Sequence, residues 1–223
     1  MPRRTEFSDN RAWLRSLGFA AIEPPYRELP DPAVPPHDSF LRWLEDAVDA
    51  GIPEPHVGVL ATTGADGLPS ARVLMLRDID ASGWSVSGPD FSVKGAHIAA
   101  NPQAALTFYW REHGRQVRIA GSVIDGGIEA ASRDFHDRST IAQAVAFGSK
   151  QSAELADESE YFAAVADAQN LIEHQPQLLS AHWRVWRIEP MTVEFWQADP
   201  GRRHLRRRFT RAEPGWSASD LWP

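Results

Sequence analysis

No cysteine occurs in the chain, which excludes a disulfide framework, a thiolate metal site and a cysteine nucleophile at once. Hard redox chemistry would therefore need a borrowed cofactor. Lysine is nearly missing as well: of 23 basic residues only Lys94 and Lys150 are lysines. Where arginine is so strongly preferred, a surviving lysine raises the question of what a compact ammonium does that a guanidinium would not. No run approaches the roughly eighteen apolar residues of a membrane span, and the opening MPRRTEFSDNRAW carries charges where a secretory signal has its apolar core. The expectation is a cytoplasmic protein that does not engage membranes. No glycine-rich GxGxxG follows a strand, and no alternation of strand and helix is seen, which argues against a dinucleotide-binding Rossmann domain.

What is present suffices for one substantial core: 223 residues, 43% of them hydrophobic, with nine tryptophans. The net charge is -7, from 23 basic and 30 acidic residues. Six of the arginines fall between Arg202 and Arg211, and without them the balance is 17 against 30, or -13. The basic cluster is a local device on a surface that should repel nucleic acid.

Residues 1–36 are rich in proline and charge and show no sustained period, which reads as an arm lying on the domain surface or on a partner. Residues 37–223 read as one domain. From Ser39, Phe40, Trp43, Leu44 and Val48 recur at helical spacing until Gly51 and Pro53. Strands are expected at 56–63, 69–79 (with a turn at Ala65-Asp66-Gly67 between them) and from Trp84 to Gly88. Ser92 is placed to cap a short helix that Asn101-Pro102 stops. QAALTFYW and RQVRIAGSVID read as an antiparallel pair. Two helices follow, GIEAASRDFHD and STIAQAVAF, the latter with Gly148 as its C-terminal glycine, then a third over about 157–172. The end returns to strands in HWRVWRIEPMTVEFWQ, LRRRFTR and WSASDLWP. Antiparallel strands interrupted by a few helices predict a mainly β, closed or partly closed barrel with peripheral helices.

Three places carry chemistry. Lys94 in the first turn of a helix opposes the macrodipole unless an anion sits there; an exposed lysine tolerating the small penalty is the alternative. Arg72 and Arg77 lie five apart in a hydrophobic strand, so regular alternation sends them to opposite faces. A guanidinium near the interior persists when paired or bound to a ligand. GSKQS at 148–152 offers hydroxyl, amide and ammonium groups, though alone it reads as a solvated polar loop.

In order, PSARVLMLR, SVKGAHIAANP, GRQVRIAG, FGSKQS and VEFWQ with its arginine-rich sequel resemble the pyridoxamine 5'-phosphate oxidase family, from about Phe40 to Pro223. The resemblance implies an FMN-binding split β-barrel, homodimeric, with FMN at the subunit interface. It implies that Arg72 and Lys94 meet the FMN phosphate, and that Val73 and Leu74 lie beside the isoalloxazine. Ser87 and Gly88 fall where the family has a tyrosine-threonine pair, and Val93 replaces a common arginine. Gln116, Gln151, Ser152, Trp196 and Arg208 match further cofactor residues. For the substrate, Arg77 stands where the vitamin oxidases have a lysine, and Asp134, Arg138 and Ala142 where they have tyrosine, arginine and serine. Only Arg138 is kept. In GRRHLRRRF, His204 and Arg206 occupy the family's active-site arginine and histidine positions in exchanged order; an alignment without the insertion in ADPGR puts Arg202 and His204 there instead. The N-terminal closing motif has no counterpart in RAWLRSLGF.

The implied activity is hydride transfer from a small anionic substrate to flavin N5, with reoxidation by dioxygen. In the vitamin oxidases the substrates are pyridoxine and pyridoxamine 5'-phosphate. Tyr109-Trp110-Arg111-Glu112 and Lys94-Gly95 resemble instead the phenazine-biosynthesis branch, which oxidises a dihydro-tricyclic carboxylate. A flavin- or haem-binding split-barrel protein without oxidase activity is the alternative of another class. No metal and no nucleic-acid partner is expected.

Overall fold

The computed structural model describes residues 3–6, 9–17, 25 and 28–223. The arm at 1–36 thus lies partly outside the described residues, as do the last two residues of RAWLRSLGF. Within it, helix α1 (Asn10–Ser16) is capped by Asp9, whose carboxylate accepts from the Ala12 N–H at 2.7 Å. Helix α2 (Pro36–Asp49) begins with proline at its first position and buries Phe40, Trp43 and Ala47. Val48, expected on that face, is 57% exposed. Ala47, four residues beyond Trp43, takes the core position, and the next residue is rotated by a further 100°.

Among the described residues nine strands form one antiparallel sheet: β1 (Val57–Thr63), β2 (Pro69–Met75), β3 (Asp78–Asp80), β4 (Gly83–Pro89), β5 (Gln103–Trp110), β6 (Arg115–Asp125), β7 (Trp183–Gln197), β8 (Leu205–Arg211) and β9 (Trp216–Asp220). The order is β2-β1-β5-β6-β7-β4-β3, with β8 on β7 and β9 on β8. β7 serves two neighbours on one side, its first half pairing β4 and its second half β8. Between them the β6 register slips at Ala120/Gly121. A Cβ on Gly121 would lie 2.0 Å from the Glu189 carbonyl oxygen, so only glycine admits this approach.

The strand expected over 69–79 is broken. After Met75 the chain changes partners: the Leu76 N–H donates to the His56 carbonyl at 2.9 Å and the Arg77 N–H to the Ser85 carbonyl at 2.8 Å. β2 and β3 are the two ends of the seven-strand path, yet Met75 and Asp78 are three residues apart, within about 11 Å at full extension. The sheet edges are thereby drawn together and the sheet curls into a partly closed barrel. Its core is aromatic: Phe40 packs against Trp84, Phe108 and Trp110, and Trp43 against Phe195.

Helix α3 (Val93–Ala100) sends Ile98 into this core, whereas α4 (Gly127–His136), α5 (Thr140–Gly148) and α6 (Glu158–His174) pack outside it. Phe135, Ala146 and Trp183 tie α4 and α5 to β7, and Ala144 packs on Val165, Ala168 and Ile172 of α6. Gly148 is the last residue of α5 rather than a left-handed cap, since the cap is Ser149 at φ -83°. Its role is close packing, because a Cβ would sit 2.5 Å from the Ala164 carbonyl oxygen. Gly148→Val should therefore push α6 off α5 and destabilise the fold by about 1–3 kcal/mol, read as a lowered thermal midpoint by circular dichroism.

Candidate active site

A cavity of about 930 Å³ opens between β2, β4, the start of α3, α5 and α6. At one end the buried Ser92 caps α3: its hydroxyl accepts from the Gly95 N–H at 3.3 Å and donates to the Pro89 carbonyl at 2.7 Å. Lys94 curls back over this cap, donating to Ser92 Oγ at 3.2 Å and Gln151 Oε1 at 3.0 Å. It is 7% exposed, and burial, aided by the Arg72 charge, lowers its pKa to about 8. A Cβ on Gly88 would lie 2.5 Å from the lysine's Cε and Nζ, so the bare strand is what lets the side chain lie across it.

Arg72 faces the same end. Its Nη1 donates to Thr62 Oγ1 at 2.8 Å and to the Leu60 and Ser70 carbonyls, and its Nη2 to Ser70 Oγ at 2.9 Å. All these acceptors are neutral, and burial pulls its pKa down. Among the described residues neither Arg72 nor Lys94 has a carboxylate partner. Two mutually repelling cations beside a helix N-terminus make this end electrostatically suited to an anion.

At the other end stand Arg77 and Arg138. Regular strand alternation would have separated Arg72 from Arg77; the change of partners after Met75 instead brings both to this cavity. Arg77 Nε donates to Asp134 Oδ1 at 2.5 Å, and Arg138 Nη1 lies 3.8 Å from Oδ2. Trp183 Nε1 donates to the same Oδ2 at 2.8 Å, and the Arg138 guanidinium sits 4.6 Å from the Trp183 ring. Burial lowers the Arg138 pKa, opposed by Asp134.

Arg72, Val73, Leu74, Ser87, Gly88, Lys94 and Gln151 thus meet Arg77 and Arg138 around one cavity. Ser152 is adjacent, its hydroxyl 3.4 Å from the Val93 N–H. Gln116, Trp196, His204, Arg206 and Arg208 do not join them. They belong to β6, β7, β8 and the turn before β8, on the sheet's outer face: Gln116 is opposite Trp196, Trp196 opposite Arg206, and the His204 ring lies 4.9 Å from Trp196. Arg206 is held by Glu194 through Nε at 3.1 Å and Nη2 at 2.8 Å, whereas Arg202 lies in the turn at φ +60°. Arg207 pairs with Asp220, and Arg211 lies over Trp216, so with Arg206 three of the six arginines are engaged within their own sheet. The same outer face carries the exposed Val59 and Tyr109. Sequence reasoning missed Trp183 and Tyr161 in the lining; the tryptophan-rich β7 offered no local sign of which ring turns toward the cavity.

The sequence pattern described as pyridoxamine 5'-phosphate oxidase matches residues 44–197, and that of the pyridoxine 5'-phosphate oxidase C-terminal dimerisation region matches residues 183–223. A pyridoxine/pyridoxamine 5'-phosphate oxidase of Burkholderia orbicola is 39% identical over 206 residues, covering 86% of this chain and 91% of its own. One from Thermosynechococcus vestitus is 39% identical over 196 residues, with the same coverage. The crystal structure of PhzG from Burkholderia lata, in complex with tetrahydrophenazine-1-carboxylic acid, superposes with a TM-score of 0.83 at 30% identity, covering 92% of this chain and 100% of that one.

Proposed function

The chain belongs to the pyridoxamine 5'-phosphate oxidase family, and on that premise we propose that it is a cytoplasmic, homodimeric, FMN-dependent oxidase of a small anionic substrate. The observation that carries this reading is the Arg72–Lys94 pair at the α3 N-terminus, two cations without an acid between them. That donor set fits a phosphate monoester of charge close to -2, and the cavity volume lies within the range of ordinary cofactor sites. Arg72, Lys94, the first N–H groups of α3, Gln151 and Ser152 would hold the phosphate end. FMN, when bound, supplies a hydride acceptor at N5 and delivers the electrons to dioxygen. The residues orient the substrate: Arg77 and Arg138 hold its anionic group, while Leu74 and the apolar face of α5 keep water from the reacting carbon.

Gln116, Trp196 and Arg208 face away from this cavity, which supports a composite site that a second copy completes. The match of residues 183–223 to a region named for dimerisation and the exposed Val59, Val73 and Tyr109 favour the same assembly.

Two substrates stand out. Pyridoxine and pyridoxamine 5'-phosphate follow from the names of the curated relatives; a reduced phenazine carboxylate follows from the whole-chain likeness to PhzG and the ligand in that structure. Anaerobic titration of the FMN-loaded protein with each, scored by loss of flavin absorbance, tests both. Bleaching by none of them would refute both assignments, and a purified protein that takes up no flavin would sink the oxidase reading itself.

A pH dependence follows from Lys94. Its pKa is lowered to about 8, so near pH 7 the ammonium is present and a phosphate dianion gains a full ion pair. Above pH 8 binding must first reload the proton, and FMN affinity should fall by up to about tenfold per pH unit. The flavin-free protein behaves oppositely. The unfolded lysine keeps its proton to about 10.5 while the folded one releases it near 8, so stability rises across that window. FMN titrations at pH 7, 8 and 9, repeated on Lys94→Gln, check the sign: the variant should lose this slope.

A further inference from the structure

At the substrate end of the cavity, Arg77 and Arg138 converge on a single carboxylate. Asp134 is 9% exposed, accepts from Arg77 Nε and Trp183 Nε1, and stands 3.8 Å from Arg138 Nη1. It does not line the cavity; both arginines do. Of the other charged residues on the cavity wall, Lys150 and Glu160 pair with each other, and among the described residues Glu54 and Glu154 form no ion pair with Arg72, Lys94, Arg77 or Arg138. Taken with their direct partners, the two cation pairs carry different charge. Arg72 and Lys94 at the α3 end present two positive charges with no acid, matched to a dianion. Arg77 and Arg138, with Asp134 behind them, present two positive charges and one negative, a surplus of one.

We propose that Asp134 is a positioning residue that sets the substrate end for a singly charged acid group, a carboxylate, and against a phosphate monoester dianion; this rests on the oxidase reading above. The physical reason is competition for the same donors. A ligand dianion set against the two guanidinium groups would bring its second charge toward the buried carboxylate they already neutralise, and like charges in a site shielded from water repel strongly. A carboxylate needs only the surplus charge and the donors Asp134 leaves open. Arg77 still presents its terminal nitrogens, and Arg138 is steered by its stack on Trp183.

The test uses a matched pair of probes, benzoate and phenyl phosphate, titrated calorimetrically into the FMN-saturated protein at neutral pH. Wild type should bind benzoate at least about tenfold more tightly than phenyl phosphate, the scale of one charge-assisted contact. Asp134→Asn keeps an oxygen for Trp183 and removes the charge; it should shift the ratio toward phenyl phosphate by about tenfold or more. Asp134→Glu should restore the wild-type ratio, which a merely structural role would not require. The wild-type ratio needs no variant to fold, and a wild type that prefers phenyl phosphate would overturn the proposal, as would Asp134→Asn leaving the ratio unchanged. Should the protein take up no flavin, the oxidase reading fails separately. The same titrations in an Arg72→Ala background, where the α3 site is weakened, would then decide the role of Asp134.

Discussion

Arg72→Ala is expected to weaken FMN binding by about ten- to a hundredfold, the cost of one charged hydrogen-bonding group facing a phosphate. Lys94→Ala should do the same, and the double variant should lose about a hundred- to ten-thousandfold if the two act independently. The two are not equivalent in the flavin-free protein. Arg72 also anchors β2 to β1 through Thr62 Oγ1 and the Leu60 carbonyl, so its removal costs stability as well as affinity. Lys94 spends burial energy, as its lowered pKa records, and its removal should leave the empty protein as stable or more so. Fluorescence titration of FMN together with chemical denaturation of each variant separates these effects. Equal stability loss for the two variants, or unchanged FMN affinity for either, would contradict the assignment of this end of the cavity.

Phe40→Ala should produce the largest stability change, about 3–5 kcal/mol. Phe40 is fully buried and packs edge-on against Trp84 and Phe108, with Trp110 tilted beside them. These rings come from α2, β4 and β5, so the side chain joins the helix to two strands distant in the sheet order. A cavity left there has no neighbour free to fill it, because the surrounding rings are rigid and close-packed. Denaturant unfolding should show the loss as a lower midpoint with an unchanged slope. Val48→Ala on the same helix, at an exposed position, should change stability by less than about 0.5 kcal/mol.

Local features were legible in the sequence wherever one residue's chemistry decides them. Ser92 caps α3 as its hydroxyl and position require, β6 runs from Arg115 to Asp125 as the alternation suggested, and α2 buries Phe40 and Trp43 as its apolar spacing predicts, with Val48 the exception. What escaped were features fixed by partners far along the chain. The change of strand partner after Met75 depends on His56 and Ser85, and no pattern within residues 69–79 announces it. Gly148 carries the sequence mark of a helix end, yet its meaning is set by the Ala164 carbonyl of another helix. The site was legible in its membership more than in its geometry. Motif resemblance named residues that the fold divides between a cavity and the opposite face of the sheet. It noted an acid at Asp134 without showing that this acid lies between Arg77 and Arg138, 57 residues from the former.

The central claim is that the cavity of one copy and the outer sheet face of another together bind one FMN. Titrating FMN into Lys94→Ala, into Arg208→Ala and into their mixture after exchange of subunits tests it most directly. Each variant alone should bind weakly. The mixed dimers should carry one site built from two intact halves and one from two damaged halves, restoring tight binding at about a quarter of all sites, since half the dimers are mixed. Recovery of that quarter is the predicted result; no recovery, or tight binding by a monomer of either variant, would contradict the account.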